Sequence, residues 1–293
     1  MKVLLFGSRG QLGTYLVPVL HALGELVACD LQECDLMDLA AVRRLILQQR
    51  PDVIVNASAY TAVDQAEADV AVAQRINAEA PAVMAETARE LGALLVHYST
   101  DYVFDGSARV PYTEEVAPAP MGIYGKTKLA GEQAIVASGA HHLILRTAWL
   151  YSNRGKNFFK TMLKLADERS ELRVVHDQTG SPTYAKLVAD NTARMLLKMF
   201  DQGQLVMDRC GLYHVACQGS TTWYEFAKNI VQSAGKADGV RVIPITTADY
   251  PTPARRPAYS SLSTKKLARV FDLRLPAWQT GLEQCFAERV ADG

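Results

Sequence analysis

The first half of the chain alternates short apolar runs with amphipathic stretches, and this alternation constrains the fold more than any other feature. "KVLLFG", "ELVACD", "DVIVNAS" and "ALLVHYST" each read as a strand that is apolar along most of its length. Helical spacing fills the intervals: "QLGTYLVPVLHALG", "DLAAVRRLILQQRP", a long segment from about Val70 to Leu91, and "YGKTKLAGEQAIVASG", after which "HHLILRTAWLY" supplies a further strand. Strands without a polar face need cover on both sides, and helices between them supply it. The expected fold class is therefore α/β, a Rossmann-type doubly wound parallel sheet. Pro18 should disturb the first helix, yet the apolar spacing continues on both sides of it.

After about residue 150 the rhythm breaks. "GKNFFKTMLKLADERS" is helical, "ELRVVHDQTGSPT" extended and "AKLVADNTARMLLKMF" helical, and "GLYHVACQGSTTWYEFAKNIV" gives strand, turn and helix. Four prolines (Pro244, Pro251, Pro253, Pro257) make 244–261 read as loop. The expected division is a dinucleotide-binding domain over 1–149, rejoined by parts of about 180–218. Residues 150–179 and 219–293 are expected to form a smaller C-terminal substrate-binding lobe.

Lys plus Arg equals Asp plus Glu, 31 against 31, so no overall field draws the chain to nucleic acid or to an anionic membrane. No apolar run is long enough to span a bilayer or to form a secretory leader, which predicts a cytoplasmic protein. Cys29, Cys34, Cys210, Cys217 and Cys285 lack paired metal-ligand spacing and read as thiols in a reducing compartment; no metal site is expected.

Between the first strand and first helix, "GSRGQLG" sets Gly7, Gly10 and Gly13 three apart. In a dinucleotide fold one such glycine makes the turn, one lets pyrophosphate approach the backbone, and one lets helix and strand pack closely, while the helix N-terminus attracts the phosphates. Asp30 ends the second strand, where a carboxylate would bond an adenosine ribose and favour NAD. Arg9 argues the other way, because its guanidinium would pair with a 2′-phosphate. Asp35 either approaches the adenine or caps the following helix.

Tyr124 and Lys128 form Y-x-x-x-K, four apart and so on one helical face. A nearby ammonium stabilises a phenolate and is expected to bring a phenol into working range as an acid–base group. Ser99 and Thr100 follow an apolar strand and should lie at its carboxyl edge, where open α/β sheets bind ligands. His97 lies within that strand and reads as core or sheet edge; His141 and His142 read as solvated, and His176 as structural. Trp149 reads as a ligand contact, while Trp223 is balanced between ligand and packing.

Taken together, "LLFGSRGQLG", "RPDVIVNASAYTAVDQAE", "VHYSTDYVFDG", "YGKTKLAGE", "LILRTAWLY", "DQTGSPT", "GLYHVACQGSTTWYEFA" and "YPTPARRPAYSSL" resemble the extended short-chain dehydrogenase/reductase family, in particular its branch that reduces a 4-keto 6-deoxy sugar carried on dTDP. The resemblance implies Tyr124 as proton donor, Lys128 as its partner and cofactor ligand, and Thr100 as the hydroxyl beside the substrate carbonyl. It implies cofactor contacts at Gly10, Gln11, Leu12, Asp30, Asp35, Leu36, Ala59, Tyr60 and Thr61, and sugar-nucleotide contacts at Thr100, Asp101 and Trp149, with Arg256 a candidate for the diphosphate. The implied cofactor is NADPH, with NADH also accepted. Some relatives dimerise through magnesium held by glutamates. Here Tyr15 and Lys186 stand at two of those places, which predicts a monomer or a dimer not bridged by magnesium. A non-catalytic subunit of the kind that regulates S-adenosylmethionine synthetase, and a nucleotide-sugar epimerase or dehydratase, remain alternatives on the same scaffold.

Overall fold

A computed structural model of the chain describes residues 1–292, with side chains through Arg289. Strands β1 (Lys2–Phe6), β2 (Glu25–Cys29), β3 (Val53–Asn56), β4 (Leu94–Thr100) and β5 (His142–Thr147) pair in parallel, and Gly211–His214 joins beyond β5. Across the six-stranded sheet the order is β2, β1, β3, β4, β5 and then Gly211–His214, so the chain changes direction between β1 and β3.

Alternate residues of each strand face opposite layers. Val3, Leu5, Val53 and Val55 pack with helix α1 (Gly13–His21) and with the helix Ala185–Met199. Leu4, Phe6, Ile54 and Leu95 pack with helices α2 (Leu39–Gln49) and α3 (Ala80–Leu91). Helix α4 (Ile123–Ser138) lies beside α3 on the latter face. This is the two-sided cover that continuous apolar strands require.

Three segments differ from the sequence reading. The helix expected over Val70–Leu91 contains a π-helical turn, Arg75–Glu79, which brings Asn77 inward. Its amide donates to Tyr60 O (3.1 Å) and Thr127 Oγ1 (3.2 Å), and its Oδ1 accepts from Tyr60 N (2.9 Å). The strand expected through Tyr151 stops at Thr147. Trp149 takes φ +45°, and Leu150–Tyr151 pairs instead with Thr183–Tyr184. Pro244 lies within the strand Arg241–Ile245, which pairs with Glu171–Val175 in a two-stranded sheet, where every strand is an edge and tolerates proline. Pro18 does stay inside α1. Asp38 caps α2, accepting from Ala41 N (2.9 Å), so Asp35 is not the cap; it accepts from Met37 N in the preceding turn.

Candidate active site

The glycine turn is shaped by close backbone approach. Gly7 has φ +82°, and a Cβ on Gly13 would lie 1.9 Å from Gly7 O, so neither position accommodates a side chain. Gly10 is exposed, and a Cβ there would meet only Gly7 O, which leaves the outer side of the turn clear. Leu12 is buried under α1. Gln11 donates to Leu150 O (3.0 Å), while its Oε1 is buried without a protein partner. A cradle that a Cβ would fill, an orphaned buried acceptor and the free N–H groups of a helix start fit a dinucleotide.

At the end of β2 the two competing signals meet. Asp30 accepts from Arg9 N and Leu31 N, both at 2.8 Å, while the Arg9 guanidinium bonds Gln32 Oε1 (2.7 Å) and Glu33 Oε1 (2.5 Å). Asp35 is exposed nearby, and Leu36 is buried beneath α2. Ala59, Tyr60 and Thr61 follow β3. The Tyr60 hydroxyl donates to Asp69 (2.7 Å), which raises the phenol's pKa.

Thr100 and Tyr124 meet at the carboxyl edge of β4. The Thr100 hydroxyl lies beside the phenol and favours its ionised form, while it donates to Asp101 Oδ1 (3.1 Å) and accepts from Tyr102 N (3.2 Å). Helix α4 is pressed close here. A Cβ on Gly125 would lie 2.2 Å from Tyr102 O, one on Gly131 would lie 2.2 Å from Asn77 O, and Glu132 holds Arg146 of β5 through two buried bonds of 2.6 and 2.9 Å. Ser99 Oγ and Thr147 Oγ1, on adjoining strands at the same edge, are buried with no protein partner. Burial pushes the Asp101 carboxyl up to about 6.

The expected electrostatics differ in one respect. Burial drives the Tyr124 phenol well above its ordinary value, and the nearby Asp101 and Tyr102 add to this against the Thr100 hydroxyl. Lys128 is turned instead toward Tyr98 O (2.6 Å) and His97 Nε2 (3.1 Å), and burial pulls its ammonium down to about 8. With its amine held by the sheet, Lys128 is not among the groups that shift the Tyr124 phenol.

From Tyr124 contacts run into the C-terminal region. Tyr102 packs edge-on against Tyr124 at 5.5 Å, and its hydroxyl accepts from Arg256 (3.1 Å), whose other amino group pairs with Asp64 at 2.8 Å. Trp149, beyond β5, stacks on Trp223 with ring centroids 3.5 Å apart and planes 2° from parallel; Phe158 lies 4.5 Å from Trp223. A cleft of about 760 Å³ opens beside them, lined among others by Phe158, Arg173, Gln178, Trp223, Tyr250 and Arg256. Asn56, Asp64 and Tyr102 lie in segments that carry the resemblance but are not singled out by it, and Phe158 lies outside those segments. For Asn56 the one available signal is an amide ending an otherwise apolar strand, "DVIVN".

A dinucleotide cradle at a parallel-sheet switch point, followed by a Thr–Tyr–Lys arrangement, defines an extended short-chain dehydrogenase/reductase. The family model described as "RmlD substrate binding domain" matches residues 1–290. The chain is 45% identical over 297 residues to the dTDP-4-dehydrorhamnose reductase of Escherichia coli K12, covering 98% of each. It superposes with TM-score 0.91 on a dTDP-4-dehydrorhamnose reductase of Bacillus anthracis solved in complex with NADP, at 37% identity and over 98% and 99% of the two chains. A Thermus thermophilus UDP-glucose 4-epimerase in complex with NAD shares the fold alone, at 21% identity and TM-score 0.80 over 97% of both chains. The chain belongs to the dTDP-4-dehydrorhamnose reductase family of NAD(P)H-dependent oxidoreductases.

Proposed function

We propose that this chain reduces the 4-keto group of dTDP-4-dehydro-6-deoxy-L-mannose to give dTDP-L-rhamnose, the last step in making that sugar nucleotide, with Tyr124 as proton donor. The observation that carries the assignment is the Tyr124–Thr100 pair at the carboxyl edge of β4, with Lys128 one turn along the same helix. A dihydronicotinamide held at this edge would supply the hydride that sugar C4 gains. Thr100 and Tyr124 hold the carbonyl oxygen, and Tyr124 gives its proton to that oxygen as the alcohol forms. A phenol kept protonated by burial suits this direction, and the Thr100 hydroxyl stabilises the phenolate left behind.

Lys128 would bind the nicotinamide ribose and then face the phenolate. The turn around Gly7, Gly10, Gln11, Leu12 and Gly13 would hold the pyrophosphate, with Asp35, Leu36, Ala59, Tyr60 and Thr61 around the rest of the cofactor. NADPH is the preferred reductant because Arg9 offers a guanidinium where a 2′-phosphate would lie, and NADH is accepted through Asp30. Asp101 and Trp149 would contact the sugar, and Arg256 the diphosphate. On this reading residues 1–149, with parts of 180–218, bind the cofactor, and 150–179 with 219–293 bind the sugar nucleotide. The chain acts as a monomer or a dimer not bridged by magnesium: Tyr15 donates to Glu288 (2.6 Å) and Lys186 pairs with Asp190 (2.8 Å). Among the described residues no helix is long and apolar enough to cross a membrane.

Purified protein given NADPH and the dTDP-keto sugar should consume the reductant and release dTDP-L-rhamnose, more slowly with NADH. NADPH left unconsumed while a known reductase turns over in the same mixture would refute the assignment.

A further inference from the structure

Lys128 is joined to two buried polar residues, Asn56 and His97, to which the reductase reading gives no role. Asn56 at the end of β3, His97 inside β4 and Lys128 on α4 are all buried. Ser58 N donates to Asn56 Oδ1 (3.1 Å), which leaves the Asn56 Nδ2 group facing His97 Nδ1 at 3.1 Å, while His97 Nε2 lies 3.1 Å from Lys128 Nζ. An amide nitrogen only donates, so Nδ1 accepts. Burial holds the imidazole neutral, and a neutral ring that accepts at Nδ1 carries its proton on Nε2. That N–H points at Lys128 Nζ, which can accept only as an uncharged amine. A charged Lys128 forces the imidazole proton to Nδ1, against the Asn56 amide, and an amide turned to accept it deprives Ser58 N of its partner.

We propose that His97, oriented by Asn56, is a positioning residue that sets the charge of Lys128 and through it the pH range over which the enzyme turns over. The array runs from Ser58, whose Oγ lies within 2.7 Å of where a Cβ on Gly7 would sit, so it also ties that charge to the cofactor turn. The titratable groups around it are few. Glu132, one turn along α4, favours the ammonium but is already held by Arg146 of β5; Tyr124 lies one turn back; Asp101 and Tyr102 act on Tyr124. Among the described residues the sheet side therefore offers Lys128 only His97 and the Tyr98 carbonyl.

The proposal rests on the reductase reading for its consequence, not for its test. In the full-length chain above the Lys128 midpoint of about 8, imidazole ¹⁵N shifts should place the His97 proton on Nε2; a proton still on Nδ1 there overturns the proposal in the native protein, whatever the variants do. Asn56→Asp keeps the acceptor for Ser58 N but presents a second acceptor to the ring, which moves the proton to Nδ1 and turns a bare Nε2 toward Lys128. His97→Gln offers Lys128 a carbonyl oxygen instead. Each should raise the Lys128 midpoint by about one pH unit, read from its ¹³Cε resonance, and shift the kcat–pH profile by the same amount while KM for NADPH stays within about twofold. If Asn56→Asp fails to fold, His97→Gln carries the comparison. An unmoved midpoint in a folded variant, or a fall in kcat equal at every pH, overturns it. Absence of turnover in the native chain would sink the reductase reading while leaving the resonance titrations valid.

Discussion

The carboxyl edge of the sheet and the aromatic cleft beside it are held by different forces. At the edge, directional bonds are nested in depth: Asn56 to His97 to Lys128, Asn77 to both Tyr60 and Thr127, and Glu132 to Arg146. In the cleft the contacts are mostly ring faces: Trp149 on Trp223, Phe158 on Trp223, and Phe158 on Phe226 with centroids 5.7 Å apart. A hydrogen-bonded array loses its partners when it shifts by an ångström, whereas stacked rings slide or part at small cost. The half assigned to proton and hydride transfer is thus fixed, and the half assigned to the sugar nucleotide is adaptable.

The sharpest way to break this contrast is to remove one atom from the fixed half. Tyr124→Phe keeps the ring against Tyr102 and deletes only the proton donor. Turnover should fall about 10³-fold, while NADPH affinity, followed by fluorescence titration, stays within about twofold. Turnover within tenfold of the native value would mean the proton comes from elsewhere.

Gly131→Ala tests how rigid the fixed half is. The new methyl would meet Asn77 O, a backbone atom inside the π turn that has no rotamer in which to escape. Helix α4 must then lift from that turn, at a cost of about 3 kcal/mol and a melting temperature lower by roughly 6–12 °C. A calorimetric melt within about 2 °C of the native chain would show that α4 moves freely, and the contrast would weaken.

The two halves were also unequally legible in the sequence. The parallel sheet follows from strands without a polar face, and Gly13, crowded by Gly7 and Ser8, and the Tyr124–Lys128 spacing mark their own geometry, because each depends on near neighbours in the chain; Gly7 is legible from its place in the turn, although the atoms that crowd it belong to Ala57 and Ser58. What sequence does not display is how distant segments meet. His97 reads as core and is buried, but its bonds to Asn56 and Lys128 exist only because β3, β4 and α4 converge. The same holds for the direction of Lys128, drawn to the Tyr98 carbonyl rather than to the phenol on its own helix. In the cleft, the break at Trp149 depends on Gly180: a Cβ there would lie 2.3 Å from the indole, so this remote glycine leaves the room the ring occupies.

That last contact leads to the smallest effect, which separates the two rings of the stack. Trp149 is confined by its φ of +45° and by Gly180 against its face, whereas Trp223 opens the helix Trp223–Ser233, with Thr222 as its cap. On the proposed reading Trp223, which also packs against Phe158 (4.5 Å), is the ring of the pair that would part to admit the sugar nucleotide. Trp223→Ala should raise KM for the dTDP-sugar about tenfold, the loss of one aromatic contact, and leave KM for NADPH unchanged and kcat within about threefold. Trp223→Phe should recover most of that loss, since a smaller ring still offers a face. A rise in the NADPH KM instead would place the stack on the cofactor side, and a fall in kcat alone would make it part of the rigid half.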